Sequence, residues 1–193
     1  MHITYPPISC PNTITSITQI LNSLNIAQFV IISHSYRRVV ATHILHGAHL
    51  STCVAAMLFI DPIPFLLHLP NIAYNFIYWN PRTANEWELW YFASRDPDIS
   101  RATSRHFFWT ENILRKEELE GNYICVVLSR DDQIVDGGEV RKYLTGGEEE
   151  RRWELGRLEV LFHSGLDHAM VFDTKERRRP VLDVVRRFVR LAE

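Results

Sequence analysis

The stretch Phe29-Val-Ile-Ile-Ser33-His34-Ser35-Tyr36-Arg37 decides the fold of this chain. Its first residues are apolar, which is typical of a strand buried on both faces of a parallel sheet. The residues after Arg37 have the apolar spacing of a helix up to about Leu45. The sequence therefore predicts a strand, a tight turn and a helix, with Ser35 in the turn.

A serine on such a turn has the geometry of a nucleophile elbow, whose sequence is G-x-S-x-G. Here Ser33 and Arg37 stand at the two glycine positions. Ser33 is small enough for the close packing that the turn requires. Arg37 either points to solvent and leaves the site intact, or pushes the turn apart, and a displacement near 1 Å can lower a rate by ~10²-fold.

Three further apolar runs predict strands at 54–60, 123–128 and 158–162. Helices are predicted at about 12–25, 38–45, 139–144 and 180–191, and a surface loop at 145–152. The alternation of strands and helices favours an α/β fold with a mostly parallel sheet flanked by helices. The length of 193 residues suits one domain, which we expect to span residues 1–193.

Residues 63–120 interrupt the alternation between the second and third strands. The segment is rich in aromatic residues, and its helical patterns are broken by prolines. We interpret it as an inserted helical lid. Aromatic side chains beside a site favour apolar ligands, or they fill the core of the lid itself. The candidates for contact with an apolar substrate are Trp87, Trp90, Phe107 and Trp109.

The composition argues against several classes of function. A formal net charge of −2 gives no field that attracts nucleic acid. The three cysteines are widely spaced and indicate neither a disulfide framework nor a metal site. No apolar run is long enough to cross a membrane, and residues 1–7 do not resemble a signal peptide. We therefore expect an intracellular, cytoplasmic protein that uses no cofactor.

Polar residues follow three of the predicted strands at their carboxyl ends, where α/β sheets place their sites. Ser35 follows the first strand, residues 131–136 follow the third, and residues 163–168 follow the fourth. An imidazole can take the proton of a serine hydroxyl, and a carboxylate can hold that imidazole in the required tautomer. The chain order Ser, Asp, His therefore predicts nucleophilic catalysis at this edge of the sheet.

The chain resembles the C-terminal two-thirds of an α/β-hydrolase of the esterase or lipase-like branch, over about residues 12–193. The matching motifs are S-H-S-Y-R at 33–37, F-I-D-P at 59–62, S-R-D-D-Q-I-V at 129–135 and G-L-D-H at 165–168. The resemblance implies that Ser35 is the nucleophile, Asp132 the acid and His168 the base. It also implies that the backbone N–H of Tyr36 is an oxyanion-hole donor.

Other acidic residues compete with Asp132. Asp131 is its neighbour and an alternative acid. Asp61 follows the second strand, where some α/β-hydrolases place the acid, although an Asp-Pro pair there more often begins a lid. Asp136 is expected to lie at the N-cap of the next helix.

The other histidines have weaker claims than His168. His163 directly follows the strand predicted at 158–162, before His168 in the same loop, and is expected to be structural. His34 is expected to point to the oxyanion side or to the core. The remaining histidines show no i, i+4 pattern with carboxylates or cysteines that is typical of a zinc site, so we expect no metal.

The strands that precede the elbow in the family have no counterpart in this resemblance. In the family they supply the second oxyanion N–H, and loss of one such donor costs ~10²–10³ in rate. Without them, the strand at 29–33 is expected to be an exposed sheet edge, which invites aggregation or self-association.

Two functions from different classes follow from these observations. The first is a serine hydrolase that acts on an ester or similar bond of an apolar small molecule. The second is a non-catalytic remnant of an α/β-hydrolase, including a binding module that docks a partner on the exposed edge. The residue order supports the first, and Arg37 with the missing strands supports the second.

Overall fold

The computed structural model describes residues 8–35, 38–47, 49–105 and 107–192. The predicted oxyanion donor Tyr36 and the departure at Arg37 lie outside the described residues.

A sheet of five strands forms the centre of the fold, in the order β1-β2-β3-β5-β4. Neighbouring strands are parallel, except that β4 runs antiparallel to β5. The prediction of an α/β fold with a mostly parallel sheet is therefore confirmed. The strands are β1 (Phe29–His34), β2 (Val54–Ile60), β3 (Tyr123–Ser129), β4 (Arg152–Leu155) and β5 (Leu158–His163).

Helices connect the strands and flank the sheet. The α-helices are α1 (Cys10–Ser23), α2 (Arg38–His46), α3 (Pro70–Tyr78), α4 (Ala84–Leu89), α5 (Pro97–Arg105), α6 (Trp109–Asn112), α7 (Gly137–Thr145) and α8 (Lys175–Val189). A π-helical turn at Trp90–Ser94 follows α4, and short 3-10 helices lie at Leu50–Cys53, Lys116–Leu119 and Met170–Phe172. Helices α3 to α6 all lie in the segment between β2 and β3.

Alternate residues of the central strands bury into two apolar layers. Met57 and Phe59 of β2 belong to the layer shared with α1, α2, α7 and the segment between β2 and β3. Leu58 and Ile60 belong to the other layer, where they pack with Val184 and Phe188 of α8. Because β2 is covered on both faces, side chains on both sides of the strand are buried, as its unbroken apolar sequence predicts.

Strand β1 differs from the prediction that it is buried on both faces. Ile31 and Ser33 are buried, but Ile32 is 51% exposed. β1 is the last strand of the described sheet on its side, and it hydrogen-bonds to β2 alone. The face of β1 that carries Ile32 is therefore only partly covered.

Two further elements differ from their predicted bounds. The end of the predicted surface loop leads into β4, a short and mostly exposed strand that the sequence pattern did not reveal. A turn at Gly156, with φ +63°, folds β4 back onto β5. Helix α8 begins before the predicted start at Pro180, because the Thr174 side chain accepts the backbone N–H of Arg177 and caps the helix.

The register brings the carboxyl ends of four strands to one edge of the sheet. His34 pairs with Ile60, and Ser129 pairs with His163, at the last residue of each strand. The loops that follow β1, β2, β3 and β5 therefore begin side by side. None of the helices in the described residues is long and apolar enough to cross a membrane.

Candidate active site

Ser35 directly follows β1 and has a backbone φ of +54°. A non-glycine residue is strained in this region, and such strain is concentrated at functional sites. The same strain is characteristic of the serine in a strand–turn–helix nucleophile elbow. Asp61 after β2 (φ +42°) and Ala169 after His168 (φ +64°) are strained in the same way at the same edge of the sheet.

Asp132 and His168 form a buried pair. His168 Nδ1 donates to Asp132 Oδ2 at 2.7 Å, since an ionised carboxylate can only accept. The side chains of His168 and Asp132 are 4% and 2% exposed. The other carboxylate oxygen, Oδ1, accepts the backbone N–H groups of Ile134 at 2.7 Å and Val135 at 3.1 Å. The turn thus holds the carboxylate in place, and the carboxylate holds the imidazole.

The pair also sets the proton affinity of His168. Burial lowers the pKa of the imidazole, but the charge of Asp132 and its hydrogen bond outweigh burial and raise the pKa of His168 above its ordinary value. With Nδ1 bound to Asp132, the basic lone pair lies on Nε2. This atom is buried and has no hydrogen-bond partner among the described residues. His168 and Ser35 line the same open cleft.

Asp61 connects the loops around the pair. Its carboxylate is 1% exposed. Oδ1 accepts the backbone N–H of Ser129 at 2.9 Å, and Oδ2 accepts that of Ala169 at 2.9 Å. Burial, with a smaller contribution from the charge of Asp132, raises the pKa of Asp61 to about 6. Asp61 therefore ties the end of β2 to β3 and to the residue after His168.

The alternative acids lie elsewhere. Asp131 is exposed, and its backbone N–H donates to the carbonyl of Leu166. Asp136 is the N-cap of α7 and accepts the backbone N–H of Glu139 at 3.0 Å, which confirms the predicted N-cap. Of the three alternatives, only Asp61 lies near His168, and it contacts the backbone of the next residue.

Two more histidines surround this edge. The ring of His34 lies 5.0 Å from that of His168 and meets Phe172 edge-on at 5.3 Å, measured between ring centroids. His163 ends β5, and burial, with the nearby Arg151, lowers its pKa. The sequence did not indicate that His34 approaches His168, since the two residues lie in distant parts of the chain.

An apolar cavity of about 140 Å³ lies beside Ser35. Thr103 lines it, but its hydroxyl is already satisfied, because it donates to the carbonyl of Ile99 at 2.7 Å. Apart from Ser35 and Thr103, the side chains that line the cavity are apolar, and they include Ile63, Leu67, Ile72, Phe76, Leu89 and Phe107. The cavity therefore suits an apolar group next to the serine.

Among the aromatic candidates, Phe107 lines this cavity and the three tryptophans do not. Trp87 and Trp90 pack against each other with ring centroids 5.4 Å apart, and Trp87 is 52% exposed. Trp109 is half exposed and lies near His68. Apart from Phe107, the apolar lining was not predicted from the sequence, although the i, i+4 spacing of Ile72 and Phe76 on α3 is a signal for it.

No family model matches the chain, and no curated protein matches it in sequence. Solved structures do match it. A meta-cleavage product hydrolase from Pseudomonas fluorescens is 16% identical, with a TM-score of 0.57, over 100% of this chain and 76% of that one.

Two further solved structures show the same likeness. An esterase from a Rhodococcus species is 15% identical, with a TM-score of 0.58, over 95% of this chain and 73% of that one. A hydrolase from Oleispira antarctica is 15% identical, with a TM-score of 0.56, over 92% and 71%. The chain has the α/β-hydrolase fold, as its sequence motifs predict.

Proposed function

We propose that this protein is a serine hydrolase that cleaves an ester or similar bond of an apolar small molecule. Ser35 is the nucleophile, His168 the general base and Asp132 the residue that orients and stabilises the imidazole. The observation that carries the proposal is the buried 2.7 Å bond between Asp132 Oδ2 and His168 Nδ1, which leaves Nε2 without a partner among the described residues, and His168 lines the same cleft as the strained Ser35.

The proposed reaction follows from these roles. Ser35 Oγ attacks the substrate carbonyl while His168 Nε2 takes the proton of the Ser35 hydroxyl. Asp132 stabilises the imidazolium that forms. The imidazolium then gives its proton to the leaving alcohol as the ester bond breaks and an acyl-enzyme forms. In the second half of the reaction, a water molecule attacks the acyl carbonyl while His168 takes a proton from the water. His168 then gives that proton to Ser35 Oγ as the bond between Oγ and the acyl group breaks. We expect a hydrogen bond between the Ser35 hydroxyl and His168 Nε2 to form when substrate binds, as in other sites of this kind.

The cavity beside Ser35 supports a small apolar substituent on the substrate. Engineered protein cavities of about 150 Å³ lined by Leu, Ile and Phe stay dry and bind benzene. The cavity here, about 140 Å³, has a comparable lining. We expect it to take a short acyl chain or a single aromatic ring. The segment that supplies most of this lining, between β2 and β3, is the proposed lid.

A labelling experiment tests the proposal directly. A fluorophosphonate probe is expected to label the wild-type chain at Ser35 and to leave Ser35→Ala unlabelled. The wild type is also expected to release p-nitrophenol from p-nitrophenyl butyrate, whereas Ser35→Ala is not. An unlabelled wild type, or equal labelling of the two proteins, contradicts the proposal.

A non-catalytic, partner-binding role is the second candidate. It is favoured by the position of β1 at the sheet edge with Ile32 half exposed. It predicts a stable oligomer by light scattering, dissociated by Ile32→Lys, and no reaction at Ser35. A monomer that reacts with the probe contradicts this candidate.

A further inference from the structure

We propose that His34, Asp61 and His168 form a binding site for one zinc ion, and that zinc bound there blocks hydrolysis. The site itself rests on the geometry of these three residues. The inhibitory part rests also on the proposed function, because it assumes that His168 is the base.

The three side chains come together at the carboxyl ends of three different strands. His34 ends β1, Asp61 follows β2, and His168 lies in the loop after β5. One donor atom of each lies within 4.8 Å of the donor atoms of the other two. Ligand atoms around a tetrahedral zinc ion, at bonds of ~2.0–2.1 Å, lie about 3.4 Å apart. The distances between the donor atoms therefore need to shorten by at most about 1.4 Å to close the site around zinc.

The donor set suits zinc. Two imidazoles and one carboxylate, with a fourth position left open, are a set that zinc uses in proteins. Magnesium and calcium prefer oxygen ligands. The Asp61 oxygens each accept one backbone N–H, and each keeps a further lone pair for a metal.

Asp132 already provides the outer support that a zinc-bound histidine requires. Histidine ligands almost always donate their second ring N–H to a carboxylate or carbonyl, which fixes the tautomer. His168 donates Nδ1–H to Asp132 at 2.7 Å. Its Nε2 is buried without a hydrogen-bond partner among the described residues, so the orphaned atom is the one that would bind the metal.

An entry path leads to the site. His34 and His168 both line the open cleft that also contains Ser35. Zinc reaching the cluster through this cleft would take its fourth ligand, a water molecule or the Ser35 hydroxyl, from the cleft side. Since Nε2 cannot bind zinc and accept a proton at once, bound zinc stops His168 from acting as a base.

Isothermal titration calorimetry of zinc chloride into the full, chelator-treated chain tests the site. Wild type is expected to bind one zinc ion per chain and no magnesium. His34→Phe, which keeps an aromatic ring, is expected to bind zinc at least about 100-fold more weakly, because even loss of an outer-shell partner costs 10–100-fold. Asp61→Asn is expected to act in the same direction. His163→Gln is the matched control, since His163 is a partly buried histidine outside the cluster, and it is expected to keep wild-type affinity.

Thermal melting without zinc shows which variants fold. If Asp61→Asn does not fold, the zinc affinity of His34→Phe alone decides the test. The site is overturned if wild type takes up no zinc or if His34→Phe binds it as tightly as wild type. Zinc is expected to inhibit hydrolysis of p-nitrophenyl butyrate with a midpoint equal to the calorimetric dissociation constant. Full activity at saturating zinc overturns the inhibitory part. If the chain reacts at Ser35 neither with the fluorophosphonate probe nor with the ester, the proposed function and the inhibitory part are both refuted. Calorimetry alone then decides whether the zinc site exists.

Discussion

Replacement of Asp132 by asparagine tests the arrangement at its centre. In the wild type, Oδ1 accepts two backbone N–H groups, from Ile134 and Val135, and Oδ2 accepts Nδ1–H of His168. In Asp132→Asn the amide oxygen must stay on the two backbone donors, because the NH₂ group cannot accept from them. The NH₂ group then faces Nδ1, which must become an acceptor. The imidazole proton moves to Nε2, and Nε2 can no longer take the proton of Ser35.

The expected loss is large in rate and small in stability. A wrong tautomer of this kind lowers kcat by about 10⁴-fold in Ser-His-Asp enzymes, which corresponds to about 5.5 kcal/mol of activation free energy. The two turn hydrogen bonds remain, so the fold is expected to survive. The pKa of His168 is expected to fall relative to the wild type, because burial still lowers it while the charge and the hydrogen bond of Asp132 no longer raise it.

Two measurements check this reasoning. The first is kcat on p-nitrophenyl butyrate, with Asp131→Asn as the control, since Asp131 is exposed and is expected to matter less than about twofold. The second is ¹⁵N NMR of the His168 imidazole, which reports the tautomer and the pKa and does not depend on activity. An Asp132→Asn variant that keeps more than a tenth of the wild-type kcat, or whose His168 still carries the proton on Nδ1, would refute the predicted change of tautomer.

Asp61 and Ala93 provide two further tests of the same site. An unfolded aspartate loses its proton near pH 4, whereas Asp61 in the folded protein loses it near pH 6. The folded state therefore binds this proton more tightly than the unfolded state does. The free energy of unfolding is expected to fall by about 3 kcal/mol as pH rises from 4 to above 6. Asp61→Asn is expected to lack this fall. Urea unfolding of both proteins at pH 4 and pH 7 measures it, and an equal change in the free energy of unfolding of the two proteins between these pH values would contradict the prediction. Ala93→Leu narrows the cavity beside Ser35 and is expected to slow benzoate ester hydrolysis at least ~10-fold, or about 1.4 kcal/mol, while acetate ester hydrolysis changes less than ~3-fold. Equal slowing of both esters would show that the cavity does not hold the acyl group.

Local patterns in the sequence predicted most of the frame. β2 has its predicted bounds, and β1, β3 and β5 each extend one residue beyond theirs. These runs form strands because β-branched and aromatic side chains fit a covered sheet. The placement of Ser35, Asp132 and His168 at one edge also followed from the sequence, since parallel strands share a direction and their carboxyl ends meet. β4 escaped prediction because its polar residues gain a strand conformation only by pairing with β5.

The sequence by itself determined the fold class and the edge of the sheet at which the candidate site residues lie, because periodicity and strand direction are properties of the chain. Tertiary structure alone decided that Asp61 holds the loop of His168, that His34 lies against the same imidazole, and that Ile32 stays half exposed. These features depend on contacts between side chains from different strands. Such contacts follow no repeat along the sequence, so they become visible only when the strands are placed next to one another.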